Sequence, residues 1–298
     1  MTQPPVGVPV CYRHPDRETH IRCQRCERPI CPECMVPAAV GFQCPECVRE
    51  GSKGVRQARN IRLRGGSDAI VTWTLIGINV AVFLVIQGLS APALYDLMIH
   101  AKGFCTLQGH TGVADHAMCA AQGGTFSPGV ADGGYWELLT SVFAHQQIWH
   151  IASNMLSLFM IGPLLESALG RGRYLATYLL CGLGGSALAY WAASPYTPGL
   201  GASGAIFGLL GALFVLFLRR GLPMQQLLFV LALNFYITFS VANISWQAHV
   251  GGFITGLAIG SIFEFSRGRR DGERLRLAGL GAVAATIVVA VLARSLTL

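Results

Sequence analysis

A succession of long apolar runs, broken by short polar joints, constrains this chain more than any other feature. A helix needs about 20 mostly apolar residues to cross the hydrocarbon of a bilayer. Seven runs approach that length, at roughly 69–89, 147–166, 174–194, 202–218, 224–242, 246–264 and 277–296. A bilayer interior offers no water to backbone N–H and C=O groups, so such runs fold as helices. Charged residues make up 12% of the chain and apolar residues 52%, whereas a soluble domain carries about 25% charged residues. The expected fold class is an all-α polytopic membrane protein with a small N-terminal module.

The positive charges supply an orientation, because cytosolic loops gather Lys and Arg. Lys53, Arg56, Arg59, Arg62 and Arg64 precede the first run. Arg171 and Arg173 separate runs two and three, and Arg219 and Arg220 separate runs four and five. Arg267, Arg269, Arg270, Arg274 and Arg276 separate runs six and seven. The intervening segments 195–201 and 243–245 carry no charge. This alternation predicts an odd number of spans with a cytosolic N-terminus and an extracytoplasmic C-terminus; the expected location is the plasma membrane. The segment of about 90–146 then becomes a long outer loop. Its Cys105 and Cys119 are a candidate disulfide in an oxidising compartment, against the alternative of two free thiols.

The first residues, MTQPPVGVPVCYRHPDRE, lack the basic start and apolar stretch of a secretory signal. The N-terminal segment is therefore expected to stay in the reducing cytosol, where cysteines are more often metal ligands than disulfides. Four ligand pairs follow in order: Cys11 and His14, Cys23 and Cys26, Cys31 and Cys34, Cys44 and Cys47. Each pair has two residues between its members. Four such pairs suffice for two tetrahedral structural zinc sites. His20 is read as a surface residue. Arg13, Arg17, Arg22, Arg25 and Arg28 surround the pairs, but a solvated cytosolic surface accounts for them better than nucleic acid does. A cytosolic protein partner is the preferred expectation.

Ionisable groups inside apolar runs are costly and usually functional. His145, His150 and Asn154 cluster at the start of run two, and His150 and Asn154 share a helix face. Ser203 sits at the outer end of run four with Phe207 four residues on, and His249 lies about one turn inside run six. The charge alternation brings all of these to the outer layer of the membrane. Gly204, Gly208, Gly252, Gly256 and Gly260 have the small-xxx-small spacing that lets two helices approach closely. Singly, each residue reads as ordinary packing. Together, Ser203 and His249 form a candidate nucleophile and base, Phe207 can hold the imidazole by ring packing, and His150, Asn154 and the Ser203 N–H can stabilise an oxyanion. No carboxylate lies at a suitable depth to complete a triad.

These residues resemble the rhomboid intramembrane serine proteases, over about residues 69–265. The resemblance is carried by GASG at 201–204, AHVGG at 248–252, the His145, His150 and Asn154 pattern, and Glu166 with Gly170. It implies Ser203 as nucleophile, His249 as base, and His150 and Asn154 at the oxyanion. His145 and Gly201 take supporting roles. It also implies a six-helix core with one further C-terminal helix, making seven spans. No catalytic cofactor follows from it, and the substrates would be transmembrane segments of other membrane proteins. Trp136-Glu137 departs from the Trp-Arg pair common in the family. The metal-ligand pairs resemble B-box zinc fingers, over about residues 8–50. Their cross-braced order would join Cys11, His14, Cys31 and Cys34, and separately Cys23, Cys26, Cys44 and Cys47; consecutive pairing is the alternative.

The expected organisation is a zinc module at 1–50, a basic linker at 51–68, a protease core at 69–265 in the bilayer, and a basic loop with a seventh span at 266–298. Two rival functions are a non-catalytic membrane-protein binder, which would not need Ser203 and His249 intact, and a transporter using His150 and His249 as proton relays.

Overall fold

The computed structural model describes residues 7–52, 69–242 and 244–298. Most of the expected basic linker, with Lys53, Arg56, Arg59, Arg62 and Arg64, lies outside the described residues, as does Asn243. The chain divides into two compact units, Met1–Asn60 and Ile61–Leu298.

The first unit has little regular structure. A two-stranded antiparallel pair, β1 (Val36–Pro37) and β2 (Phe42–Gln43), precedes helix α1 (Pro45–Gly51). Its interior is made of Cys11, Cys23, Ile30, Cys31, Cys34, Cys44 and Cys47. A core with one aliphatic side chain among its buried members buries too little apolar surface to hold a fold by itself. His20 is exposed.

The second unit is a helical bundle. Its helices are α2 (Ile70–Ile86), α3 (Ala91–Tyr95), α4 (His116–Ala121), α5 (Glu137–Thr140), α6 (Ile148–Leu169), α7 (Arg171–Ala192), α8 (Ser203–Arg220), α9 (Gln225–Ser240), α10 (Trp246–Ser266) and α11 (Gly272–Ser295). Among the described residues, five helices are long and apolar enough to cross a membrane: α6, α7, α8, α10 and α11. Helices α2 and α9 are apolar but shorter, at 17 and 16 residues. Each apolar run of the sequence thus coincides with a helix. Two begin earlier than hydropathy indicates, α7 at Arg171 and α11 at Gly272, because long basic side chains extend from a helix end into the headgroup layer. Gly170, at φ +85°, ends α6 and admits α7 directly.

The bundle is polarised. The first-turn N–H groups of α2 are capped from the end of α6: Val71 and Thr72 donate their backbone N–H groups to the Glu166 carboxylate at 3.0 and 2.8 Å, and the Thr72 hydroxyl adds a third bond. A carboxylate at a helix N-terminus satisfies orphan donors and opposes the helix dipole. At the same end, Arg220 and Arg267 pair with Glu264, and Arg173 and Arg276 pair with Glu273. The arginines that alternate along the sequence therefore gather on one side of the bundle, around a common cleft.

Helix α8 is the central element, with Gly204–Leu213 entirely buried. It meets α10 backbone to backbone. A Cβ on Gly252 would collide with the Gly204 carbonyl, and one on Gly256 with the Gly208 carbonyl. Helix α7 closes on the same seam, where a Cβ on Gly185 would sit 2.7 Å from the Ala248 carbonyl oxygen and 3.3 Å from the Gly204 Cα.

The segment between α2 and α6 is a compact subdomain. Strands β3 (Phe104–Leu107), β4 (His110–Val113) and β5 (Thr125–Ser127) form an antiparallel sheet in the order β4-β3-β5. Cys105 of β3 and Cys119 of α4 are joined as a disulfide, with Cα atoms 5.5 Å apart. Trp136 donates its indole N–H to the Asp96 carbonyl at 2.9 Å. Glu137, in place of the family's arginine, is wholly buried beside His100. The His100 N–H donates to Glu137 Oε2 at 3.2 Å, and His100 Nε2 lies 3.2 Å from Glu137 Oε1. Burial pushes the Glu137 carboxyl up to about 9 and the His100 imidazole down from its usual value. Burial thus favours the neutral form of each at pH 7; the two imidazole nitrogens face backbone carbonyls, Nδ1 that of Lys102 at 3.0 Å and Nε2 that of Tyr95 at 3.2 Å.

Two predictions follow from these packings. The pair holds one proton when folded. Free in an unfolded chain it would hold about two below pH ~4.3, one between ~4.3 and ~6.5, and none above. Stability from this pair should thus be level between those values and fall as the pH rises from ~6.5 towards 9. Thermal melts in detergent should show this alkaline loss in the native protein and not in Glu137→Gln, whose amide oxygen keeps the acceptor for the His100 N–H without titrating. At the helix seam, Gly256→Ala should lower stability by about 1–3 kcal/mol through overpacking. Gly281→Ala in α11, where a Cβ meets nothing within 4 Å, should leave the melt unchanged.

Candidate active site

Ser203 is the first residue of α8, and His249 lies in the first turn of α10. The glycine seam brings them together: His249 Nε2 lies 2.7 Å from Ser203 Oγ. The position of Ser203 has a chemical consequence. N–H groups in the first turn of a helix have no intrahelical acceptor and sit at the positive end of the dipole. The Ser203 N–H is thus a built-in donor beside its own hydroxyl oxygen.

The His249 ring is held on two sides. Phe207, one turn along α8 from Ser203, stacks on it with ring centroids 4.1 Å apart and planes 13° from parallel. Phe207 is backed by Phe235 of α9 at 5.2 Å. The other imidazole nitrogen, Nδ1, lies 2.7 Å from the Thr238 hydroxyl of α9. Sequence reasoning missed Thr238. A threonine in an apolar helix usually only bonds back to its own backbone, and nothing in the spacing relates position 238 to position 249.

The N-terminal end of α6 contributes the remaining groups. His145 Nδ1–H donates to the Phe143 carbonyl at 3.3 Å, which leaves Nε2 as an acceptor. Nε2 then accepts from Asn154 Nδ2 at 3.0 Å and from the Ala202 N–H at 3.3 Å. A buried imidazole thereby ties the asparagine to the residue before Ser203. Asn154 keeps a second N–H for another acceptor, given this amide orientation. Gly201 is further held by its N–H to the Ser141 carbonyl at 2.8 Å. Its φ of +125° suits glycine alone, and a Cβ there would sit 2.6 and 2.7 Å from the His150 ring atoms Cε1 and Nε2. His150 therefore lies directly over Gly201, two residues from Ser203, and contacts the His145 ring at 5.0 Å. The structure brings together all seven residues singled out for the bundle: Ser203, His249, His150, Asn154, His145, Phe207 and Gly201.

This arrangement can perform acyl chemistry. A hydroxyl faces an imidazole at hydrogen-bond distance, and donors from a helix N-terminus and a side-chain amide converge beside it. A proton relay alone would not require the hydroxyl to face the base, nor donors around it.

The first unit contains two further clusters. Cys11, His14, Cys31 and Cys34 form one, and Cys23, Cys26, Cys44 and Cys47 the other; in each, all ligand atoms lie within 4.8 Å of one another. Neighbouring pairs lie at tetrahedral spacing, as with His14 Nδ1 to Cys31 Sγ at 3.2 Å and Cys26 Sγ to Cys44 Sγ at 3.8 Å. A tetrahedron with metal–sulfur bonds of about 2.3 Å has edges of about 3.8 Å, so both sets fit a four-coordinate metal ion. Backbone N–H groups support the sulfurs, from Cys44 to Cys23 Sγ at 3.2 Å and from Cys47 to Cys44 Sγ at 3.4 Å. The sets interleave along the chain in the cross-braced order.

Comparison with known proteins bears on the bundle. Residues 132–264 match the Rhomboid domain family model. The chain is 37% identical to Rhomboid protease GluP of Bacillus subtilis (strain 168) over 151 residues, covering 49% of this chain and 29% of that protein. It is 33% identical to Putative rhomboid protease YdcA of the same organism over 150 residues, covering 49% of this chain and 75% of that protein. RHOMBOID-like protein 1 of Arabidopsis thaliana is 33% identical over 138 residues, covering 43% of this chain and 34% of that protein. The chain thus spans less than a third of the length of GluP but most of YdcA. With the apolar helical bundle and its polar cluster already described, the similarity to YdcA establishes that this chain is an integral membrane protein of the rhomboid family.

Proposed function

We propose that the chain is an intramembrane serine endopeptidase that cuts transmembrane segments of other membrane proteins with a Ser203–His249 dyad. The observation that carries this reading is the 2.7 Å contact between Ser203 Oγ and His249 Nε2 at the N-terminus of a buried helix. Ser203 Oγ attacks the scissile carbonyl carbon while its proton passes to His249 Nε2. The negative charge that develops on the carbonyl oxygen is met by the Ser203 N–H, the second N–H of Asn154 and the His150 ring. The C–N bond then breaks, and the amine leaves with the proton held by His249. Water enters, gives a proton to His249 and attacks the acyl carbon; the proton returns to Ser203 as the acid departs. Each substrate must unwind locally, because a helix keeps its carbonyls bonded.

The membrane arrangement belongs to the same proposal. Helices α2 and α9 complete the five longer helices to seven spans, with the N-terminus cytosolic, the C-terminus outside, and the membrane in question the plasma membrane. The arginine-rich end of the bundle supports a cytosolic placement of that end. The Cys105–Cys119 disulfide supports an oxidising side for the subdomain between α2 and α6. In the first unit we assign zinc, one ion held by Cys11, His14, Cys31 and Cys34 and a second by Cys23, Cys26, Cys44 and Cys47, in a B-box-like module. Zinc there supplies the folding free energy that its few apolar residues do not. Its surface is assigned to a cytosolic protein partner.

Labelling with a serine-reactive fluorophosphonate tests the dyad. Native protein should label, and Ser203→Ala and His249→Ala should not. Cleavage of a model transmembrane substrate that survived in Ser203→Ala would end the assignment. For the metal module, elemental analysis should find two zinc ions per chain. The double variant Cys11→Ser/Cys31→Ser should retain one, since both residues serve the same ion, whereas consecutive pairing would leave none.

A further inference from the structure

The contact between His249 and Thr238 says more about the reaction than the dyad does alone. Thr238 is 3% exposed and lies on α9, one helix away from both members of the dyad. Its hydroxyl has one proton to give and two neighbours within bonding distance. The Asn234 carbonyl oxygen lies at 2.7 Å and His249 Nδ1 at 2.7 Å. A carbonyl can only accept, so the threonine proton points to Asn234. A hydroxyl oxygen whose proton is committed elsewhere offers lone pairs to its second neighbour. Were His249 Nδ1 bare, two lone pairs would face each other at 2.7 Å in a buried site, where an unmatched polar pair is most costly. Nδ1 must therefore carry a proton, which in a neutral imidazole leaves Nε2 bare and facing Ser203.

We propose that Thr238 is a positioning residue for peptide hydrolysis, holding His249 in the Nδ1–H tautomer so that Nε2 is ready to accept the Ser203 proton. The proposal rests on the dyad reading above. The hydrogen bonds then run in one direction: Ser203 O–H donates to His249 Nε2, His249 Nδ1–H to Thr238 Oγ1, and Thr238 O–H to the Asn234 carbonyl. A carboxylate does this work in a triad by orienting the base and stabilising it once charged. Here an uncharged hydroxyl, itself aimed by a helix carbonyl, takes that place. Phe207 fixes the plane of the ring by stacking, but stacking does not choose between the two nitrogens. The choice of tautomer falls to Thr238.

Thr238→Val keeps the shape and removes the acceptor, whereas Thr238→Ser keeps the acceptor and loses only a methyl group. With the full chain and a model transmembrane substrate, Thr238→Val should lower kcat about 10–100-fold, the range lost when a hydrogen-bond partner that orients a metal-ligating histidine is removed, with KM little changed. Its fluorophosphonate labelling should slow in parallel. Thr238→Ser should recover most of the native rate. The 15N chemical shifts of the His249 side chain should report the Nδ1–H tautomer in native protein and Thr238→Ser, and a mixture in Thr238→Val. A Thr238→Val enzyme within twofold of native kcat would overturn the proposal. So would a Thr238→Ser enzyme as impaired as Thr238→Val, since packing and not the hydroxyl would then be responsible. If Thr238→Val does not fold, the native tautomer and the Thr238→Ser rate still decide. Native protein with His249 protonated on Nε2 would refute the assignment. Failure of the dyad itself reads differently, as activity or labelling that persists in Ser203→Ala.

Discussion

Helices α8 and α10 approach until backbone meets backbone, and the chemistry of the bundle depends on that approach. Gly252 and Gly256 have no room for a Cβ because the carbonyls of Gly204 and Gly208 occupy the space. In lipid there is no hydrophobic drive between helices, so their association rests on close packing and on weak polar contacts that only small residues permit. The seam sets the 2.7 Å separation of Ser203 and His249. Hydrogen bonds weaken steeply beyond about 3.5 Å, so helices set apart by larger side chains would carry a serine and a histidine without a contact between them.

Around that contact the polar groups are uncharged side chains and backbone. Phe207 stacks on the His249 ring, Thr238 meets its Nδ1, and His145 holds Asn154 and the Ala202 N–H with one accepting nitrogen. A carboxylate within a span would have to be desolvated at a cost of several kcal/mol. Hydroxyl, imidazole and backbone groups satisfy one another at much smaller cost, provided every proton has a defined direction. The subdomain between α2 and α6 follows the same rule. Its buried carboxyl, Glu137, accepts from the His100 backbone N–H, and burial holds it protonated and so uncharged. The two compact units differ in their interiors: interdigitated helices in one, and two clusters of cysteine and histidine side chains that could hold metal ions in the other.

Much of this was legible in the residues. Helices follow from apolar runs of about 20 residues, the length a helix and not a strand needs to cross lipid. The polarity of the bundle follows from arginines at alternate joints, and the structure gathers Arg173, Arg220, Arg267 and Arg276 at one end. The candidate ligand clusters follow from four pairs with the same two-residue gap, whose order of pairing spacing alone left open between two arrangements. Helix ends were less legible, because arginines at the starts of α7 and α11 are helical yet depress a hydropathy average. Trp136-Glu137 was visible as a departure from the family pattern, but the burial of Glu137 against His100, 37 residues away, was not.

The sequence by itself determined which groups were available: a serine, two histidines and an asparagine in apolar runs, with glycines spaced to let helices touch. Those properties are local, set by helical rise and by the insolubility of charge in lipid. Only the tertiary structure decided which nitrogen of His249 faces Ser203. That choice depends on Thr238, on a third helix, and on the Asn234 carbonyl that claims the threonine's one proton. Proton direction belongs to a chain of contacts between helices, and no spacing within one helix encodes it.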